Sequence, residues 1–322
     1  MKNDYFIGFA FNGGGIRGVA STAAIRYFEE KLDCHLSEVA DLMGGTSTGG
    51  ILSCALTIPN KEGKPKFWGR DIAQLYHREC KTIFKKTLWQ KVKSVNGWVS
   101  ASYPLINMIE VFTKYFGDMR IDKSLTEMFT TGRDLYNSEN FFFKSSKAKQ
   151  NRSDNHTFVD AMCATAAAPT YFPPHNFYTN GTEYLIADGG VNSLNNPTMA
   201  IISEAIELGY PLDKIIVINI GTGTNQKNIQ NKAKKWGKLQ WIAPVIDTQM
   251  DGASDAIKYY ANKILSKENL FVWDFEVSEK YQAMDNYKNV AHVENLGYAA
   301  VEKQKDLLDA AVARIKEVRR MK

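Results

Sequence analysis

Two short segments carry residues whose types and spacing suit nucleophilic chemistry. Gly45-Thr46-Ser47-Thr48-Gly49 is a G-x-S-x-G run lying directly after one apolar stretch and before another. In that setting the serine occupies a sharp strand-to-helix turn. The glycines two residues either side admit the tight backbone, and the turn lifts the Ser47 hydroxyl into open space. The N–H of Thr48 and the dipole of the following helix then stand ready for developing negative charge. A serine needs a base to take its proton. Asp188 closes a short apolar run and precedes Gly189 and Gly190, which let a backbone come close. A carboxylate in a partly desolvated site accepts a proton directly, without an imidazole. The five histidines, His35, His77, His156, His175 and His292, lack a comparable tight, glycine-flanked placement and read as surface or packing residues. The order Ser47, Asp188, His292 still satisfies that of a conventional Ser-Asp-His hydrolase, which is the nearest alternative.

The stretch FNGGGIRG, Phe11 to Gly18, admits two readings. As Gly13-x-Gly15-x-x-Gly18 it satisfies the dinucleotide pattern, in which the next strand ends in an acid that grips a ribose. Here that strand runs into Met43-Gly44 and delivers a serine. Three consecutive glycines with unobstructed N–H groups then make better sense as an oxyanion hole. Arg17 either anchors that loop or meets an anionic substrate, with a plain surface salt bridge as the equal alternative. A non-catalytic lipid- or nucleotide-binding module on the same loops is the alternative of a different class, and it predicts that Ser47→Ala preserves function.

These residues need elements to hold them. Tyr5 to Phe11 reads as a buried strand, and Ala20, Ala24, Phe28 and Leu32 mark a helix face after Gly18. Val39 to Met43 reads as a second strand, followed by a helix over Ile51 to Ile58 that Pro59 stops. Residues 60–157 read as an inserted, mostly helical region with loop signals at Asn96-Gly97 and Thr131-Gly132-Arg133. Thr157 to Ala168 is helix-like, Tyr184 to Ala187 a brief strand, and Leu212 to Ile220 a β-branched central strand. Strands alternating with helices imply an α/β fold, a parallel sheet covered on both faces. Residues 226–322 read as a helical extension in which Leu308, Val312 and Ile315 share one face.

The bulk properties frame this. At 322 residues, 44% apolar and 23% charged, the chain suits one large packed domain. The net charge of +5 is mild, and without a zinc pattern or recognisable motif a nucleic-acid partner is disfavoured. Four scattered cysteines read as reduced thiols. The N-terminus lacks a signal-peptide core and no run is long enough to span a membrane, so a cytoplasmic location is expected, with signal-independent export left open. Lys81 to Trp98 interleaves lysines with Phe84, Leu88, Trp89 and Val92 and holds no acid. As a helix it either lies on an anionic membrane, through Lys85, Lys86 and Trp89, or packs its apolar face on the core.

Taken in order and spacing, GGGIRG, GTSTGG, ATAAAPTYFPP (Ala164 to Pro174) and DGGVNSLNNP (Asp188 to Pro197) resemble the patatin-like phospholipases over roughly residues 5–225, and INIGTGT at Ile218 to Thr224 suits the same pattern. The resemblance implies a three-layer α/β/α fold with a mainly parallel sheet. It implies a serine-aspartate dyad that hydrolyses fatty-acyl esters of membrane lipids without metal or cofactor. Carried across, Ser47 is the nucleophile, Asp188 the base, and the N–H groups of Gly13, Gly14, Gly15 and Arg17 the oxyanion hole. One departure is Asn12, where plant-type members often carry Asp; it bears on local hydrogen bonding only. Such an enzyme meets its substrate at a phospholipid surface, and an unrestrained one harms a cytoplasm. Activation by a ligand, a partner or homo-oligomerisation is therefore expected.

Overall fold

The structure is a computed structural model that describes residues 3–86, 101–225 and 238–321. Its centre is an eight-stranded sheet built from β1 (Phe6–Phe11), β2 (Leu42–Gly45), β3 (Glu127–Asp134), β4 (Glu139–Lys144), β5 (His175–Thr179), β6 (Thr182–Asp188), β7 (Ile215–Ile220) and β9 (Leu270–Trp273). The strand order is β5-β6-β3-β2-β1-β7-β9, with β4 also on β3. The pairs β1–β2, β1–β7, β2–β3 and β7–β9 are parallel, whereas β4, β5 and β6 join antiparallel. A small separate pair is formed by β8 (Thr224–Asn225) and β10 (Glu276–Val277).

The strands alternate their side chains between two cores, as a period of two requires. Ile7, Phe9 and Phe11 of β1, with Ile216, Ile218 and Ile220 of β7, face α1 (Gly18–Leu32), α3 (Thr48–Thr57) and the C-terminal helix α11 (Lys305–Arg319). Phe6, Ala10, Ile215 and Val217 face Ile201, Ile202 and Ala205 of α8 (Thr198–Glu207), Ala261 of α9 (Lys238–Ile264) and Leu265 just after it. Helices on both faces of a mainly parallel sheet give the three-layer α/β/α architecture expected. Each fully buried phenylalanine of β1 contributes roughly 2–3 kcal/mol of transfer free energy. Leu308, Val312 and Ile315 are buried, as their spacing predicts.

Several boundaries differ from the sequence reading, each for a local reason. The second strand starts at Leu42, because residues 36–39 form a short helix, α2 (Leu36–Val39), that His35 and Glu38 cap reciprocally. Residues 60–157 are not a mostly helical insertion. They hold α4 (Gly69–Ile83), α5 (Ile106–Phe116) and α6 (Ser145–Gln150), but also β3 and β4, and β3 is the sheet neighbour of β2. Thr131-Gly132-Arg133, a loop signal in the sequence, lies within β3. A Cβ at Gly132 would stand 2.4 Å from Ile186 Cγ2, so close strand packing rather than a turn accounts for the glycine. The helix near Thr157 is α7 (Phe158–Thr165), with Thr157 Oγ1 accepting from Asp160 N–H at 2.9 Å. The C-terminal part is not purely helical: besides α9, α10 (Val290–Lys303) and α11 it supplies the edge strand β9. Helix α4 ends at Ile83, so Phe84 lies beyond it. Phe84 packs on Tyr103 and Phe172, with ring centroids 5.3 and 5.8 Å away. Residues 87–98 of the basic segment, Leu88, Trp89 and Val92 included, lie outside the described residues.

Candidate active site

The sheet register explains how Ser47 and Asp188, 141 positions apart, become neighbours. β3 pairs with β4 along residues 129–134 on one edge. Its other edge is shared: β2 occupies residues 127–130 and β6 residues 132–134. Gly45 therefore pairs with Thr130 and Asp188 with Gly132, so two strands running in opposite directions meet end to end. Only Thr131 of β3 lies between their partners, a two-residue step of about 7 Å. The Ser47 turn leaves β2 at this junction.

Ser47 adopts φ 56° and ψ −126°, a left-handed-side conformation that a non-glycine residue avoids. The flanking glycines have no alternative. A Cβ at Gly45 would lie 2.0 Å from the Gly49 carbonyl oxygen, and one at Gly49 would lie 2.1 Å from the Phe11 carbonyl oxygen. The end of α7 braces both residues of the pair. Ser47 N–H donates to Thr165 Oγ1 at 2.9 Å, and Asp188 N–H donates to the Ala167 carbonyl at 3.1 Å. Thr165 is a role the sequence reading missed. It lay inside the ATAAAP motif, but nothing in its spacing said that its hydroxyl would hold the nucleophile's backbone.

Asp188 is 2% exposed, and its Oδ1 accepts from Gly190 N–H at 2.7 Å. Burial pushes the carboxyl pKa up to about 6; the Gly190 N–H and the neighbouring Ser47 side chain pull the other way and are outweighed. A carboxylate with this affinity for a proton is ionised at neutral pH yet poised to accept one.

Of the donors expected for an oxyanion, two are already engaged. Gly13 N–H donates to the Asn195 carbonyl at 3.0 Å, and Arg17 N–H to the Gly14 carbonyl at 3.2 Å. The backbone N–H groups of Gly14, Gly15 and Thr48 have no acceptor among the described residues and are left to meet a ligand oxygen. Gly13 shapes the loop instead: a Cβ there would stand 2.2 Å from Asn195 Oδ1. The Arg17 side chain is buried and ties the loop across to the turn after β7, its Nε donating to the Gly14 carbonyl at 3.3 Å and its Nη1 to the Gly223 carbonyl at 3.2 Å. Asn12 accepts from Asn219 Nδ2 at 2.7 Å within a buried amide chain that also reaches Asn196 Oδ1 at 3.2 Å.

Two cavities flank the glycine loop. One is apolar, about 110 Å³, and begins at Gly15, Ile16 and Thr48 before running between Ile51, Ala55 and Phe112. The other is polar, about 310 Å³, and is lined by Asn12, Gly13, Arg17, Asn195, Ser254 and Asp274 among others. The donor loop thus lies between a space for hydrocarbon and a space for water or polar groups.

The sequence profile of patatin-like phospholipases matches residues 9–202, a span that contains Ser47, Asp188, the glycine loop, Thr165 and Asn195. The chain belongs to this family. Patatin-like protein 1 of Arabidopsis thaliana is 30% identical over 82% of this chain and 72% of its own length. A potato relative, patatin-3-Kuras 1 of Solanum tuberosum, is 28% identical over 88% of this chain and 77% of its own, and is described as probably inactive. Among solved structures, VipD from Legionella pneumophila is similar at 13% identity and a TM-score of 0.41, over 95% of this chain and 67% of that one. Membership of the family supports lipid acyl hydrolysis as the general class of activity.

Within this patatin-like chain no histidine serves the pair. His35 hydrogen-bonds Ser37 Oγ and the Phe67 carbonyl, His77 pairs with Glu294 at 2.7 Å, His175 with Asp160 at 3.0 Å, and His156 sits among aromatic rings. His292 is exposed and stacks on Tyr281 with centroids 3.7 Å apart, bonded to neither Ser47 nor Asp188, which removes the Ser-Asp-His alternative. Among the described residues no cluster of acids, histidines and cysteines suits a metal ion, and no helix is long and apolar enough to cross a membrane.

Proposed function

We propose that the protein is a phospholipase of the lipid acyl hydrolase type, cleaving fatty-acyl esters of membrane glycerophospholipids. Asp188 takes the Ser47 proton as Oγ attacks the ester carbonyl, and the N–H groups of Gly14, Gly15 and Thr48 hold the oxyanion. Collapse of that intermediate expels the lipid alcohol, which leaves with the proton from Asp188. The acyl group stays on Ser47 with its hydrocarbon in the apolar cavity. Water then attacks the acyl-enzyme, Asp188 again taking the proton, and Ser47 Oγ recovers it as the fatty acid departs.

What carries this reading is one conjunction: a backbone-strained Ser47 beside a buried carboxylate of raised pKa, at the mouth of an apolar cavity that begins at the free N–H groups. The substrate is reached at a membrane surface, with the exposed Lys85 and nearby Lys86 as the described part of the contact and Trp89 as its further part. The protein works from the cytoplasmic side, restrained until a ligand, a partner or a second copy activates it. Fatty-acid release from mixed phospholipid vesicles by wild type, Ser47→Ala and Asp188→Asn tests the reading, with and without cell extract to supply an activator. Release by wild type and its loss in both variants is the expected outcome. Undiminished release by either variant would overturn the dyad.

A further inference from the structure

Asn195 is a polar residue of the site that the acyl-transfer steps leave unused. Its residue is 9% exposed, and its Oδ1 is buried with no hydrogen-bond partner among the described residues. A buried amide oxygen left without a donor costs stability, so its retention calls for a group that occupies it part of the time.

The position of that oxygen is informative. A Cβ placed on Gly190 would stand 3.1 Å from Asp188 Oδ1 and 3.3 Å from Asn195 Oδ1, so the two oxygens look at the same side of this glycine. A Cβ placed on Gly13 would stand 2.2 Å from Asn195 Oδ1 and 3.3 Å from Ser47 Cβ, so the amide also borders the nucleophile. Asn195 lines the polar cavity, on the side of the glycine loop away from the apolar one. Two acceptors therefore border Gly190 close to Ser47, one of them the base, and the other, Asn195, also lines the polar cavity.

We propose that Asn195 holds the water that hydrolyses the acyl-enzyme, a role that rests on the Ser47–Asp188 reading above. A water that donates one hydrogen to Asp188 and the other to Asn195 Oδ1 has only its lone pairs left to direct at the acyl carbonyl on Ser47. As the water oxygen bonds to the carbonyl carbon, its first proton passes to Asp188. The C–O bond to Ser47 then breaks, Oγ takes that proton, and the fatty acid leaves. The polar cavity that Asn195 lines supplies the replacement water. Asn195 acts on the second half of the reaction and not the first, where the attacking atom is Ser47 Oγ and no water takes part.

The test separates the two halves. With a short-chain p-nitrophenyl ester, stopped-flow release of nitrophenol reports acylation of Ser47 as a burst, and the steady rate reports deacylation once that step is the slow one. Asn195→Ala is expected to keep the burst rate constant within about twofold while deacylation falls roughly tenfold or more, with acyl-Ser47 accumulating in the mass spectrum of the quenched protein. Hydroxylamine, a stronger nucleophile that needs less positioning, is expected to restore turnover of Asn195→Ala. Equal losses in both phases would assign Asn195 a merely structural role, and unchanged deacylation would also overturn the proposal. Failure of the wild type to form any acyl-Ser47 would overturn the dyad reading along with it, and is recognised because the burst itself is then missing.

Discussion

Asp188→Asn separates what the site needs for chemistry from what the fold needs for stability. Asp188 has its pKa raised from 3.8 to about 6, chiefly by burial. A raised carboxyl pKa means that the folded state binds the proton more tightly than the unfolded chain. The stability linked to this proton is thus fully present below about pH 4 and is lost as pH rises through about 6. Two pKa units correspond to about 3 kcal/mol at neutral pH. Asparagine removes that penalty, and its Oδ1 still accepts the Gly190 N–H. At pH 7.5 the variant is expected to be about 3 kcal/mol more stable than wild type, a rise of about 4 °C in Tm for a chain of this length. The gap shrinks to about 0.5 kcal/mol at pH 4. Activity moves the other way: wild-type kcat/KM rises with pH through about 6, and the variant is inactive throughout. Denaturant titrations of both proteins at several pH values give the stability gap, and pH-rate profiles give the activity. A variant no more stable than wild type at pH 7.5, or a gap that persists at pH 4, would refute the buried, ionised carboxylate.

Further predictions follow from the same geometry. Ser47→Gly relieves the positive φ and should stabilise the fold by roughly 1 kcal/mol while abolishing turnover, whereas Ser47→Ala keeps the strain; equal melting temperatures for the two would count against strain at this turn. Gly14→Ala drives a Cβ to 2.2 Å from Thr222 Oγ1 and shifts the donor loop. It should lower kcat by about 10²-fold with little change in KM, so a pure KM effect would contradict an oxyanion role. Replacing Lys85 and Lys86 together by glutamate should weaken binding to anionic vesicles by about 30-fold or more, measured by co-sedimentation with circular dichroism unchanged; undiminished binding would remove this surface from the contact.

How much of the site was legible depended on whether the constraint was local. The Ser47 turn is one case: the glycines at 45 and 49, the strand before and the helix after all act within a few residues, so the strand-to-helix turn that presents Ser47 was legible in the sequence. Asp188 was legible as the end of a strand, yet its pairing with Ser47 depends on β3, and β3 was hidden. Glu127 to Asp134 holds buried Thr130 and Thr131 and a glycine at 132, so neither alternation nor a run of β-branched apolar residues marks it. Those threonines are polar because they border the site: Thr131 Oγ1 bonds Thr46 Oγ1 at 2.7 Å, and Thr130 donates to the Ala161 carbonyl at 3.4 Å. The same cause misled the reading of the donor loop, since Gly13 spends its N–H on Asn195, a residue 182 positions away. In this fold the strand that aligns the nucleophile and the base departs from apolar patterning because its side chains serve the turn next to it. Sequence signals for a strand weaken where that strand does most to build the site.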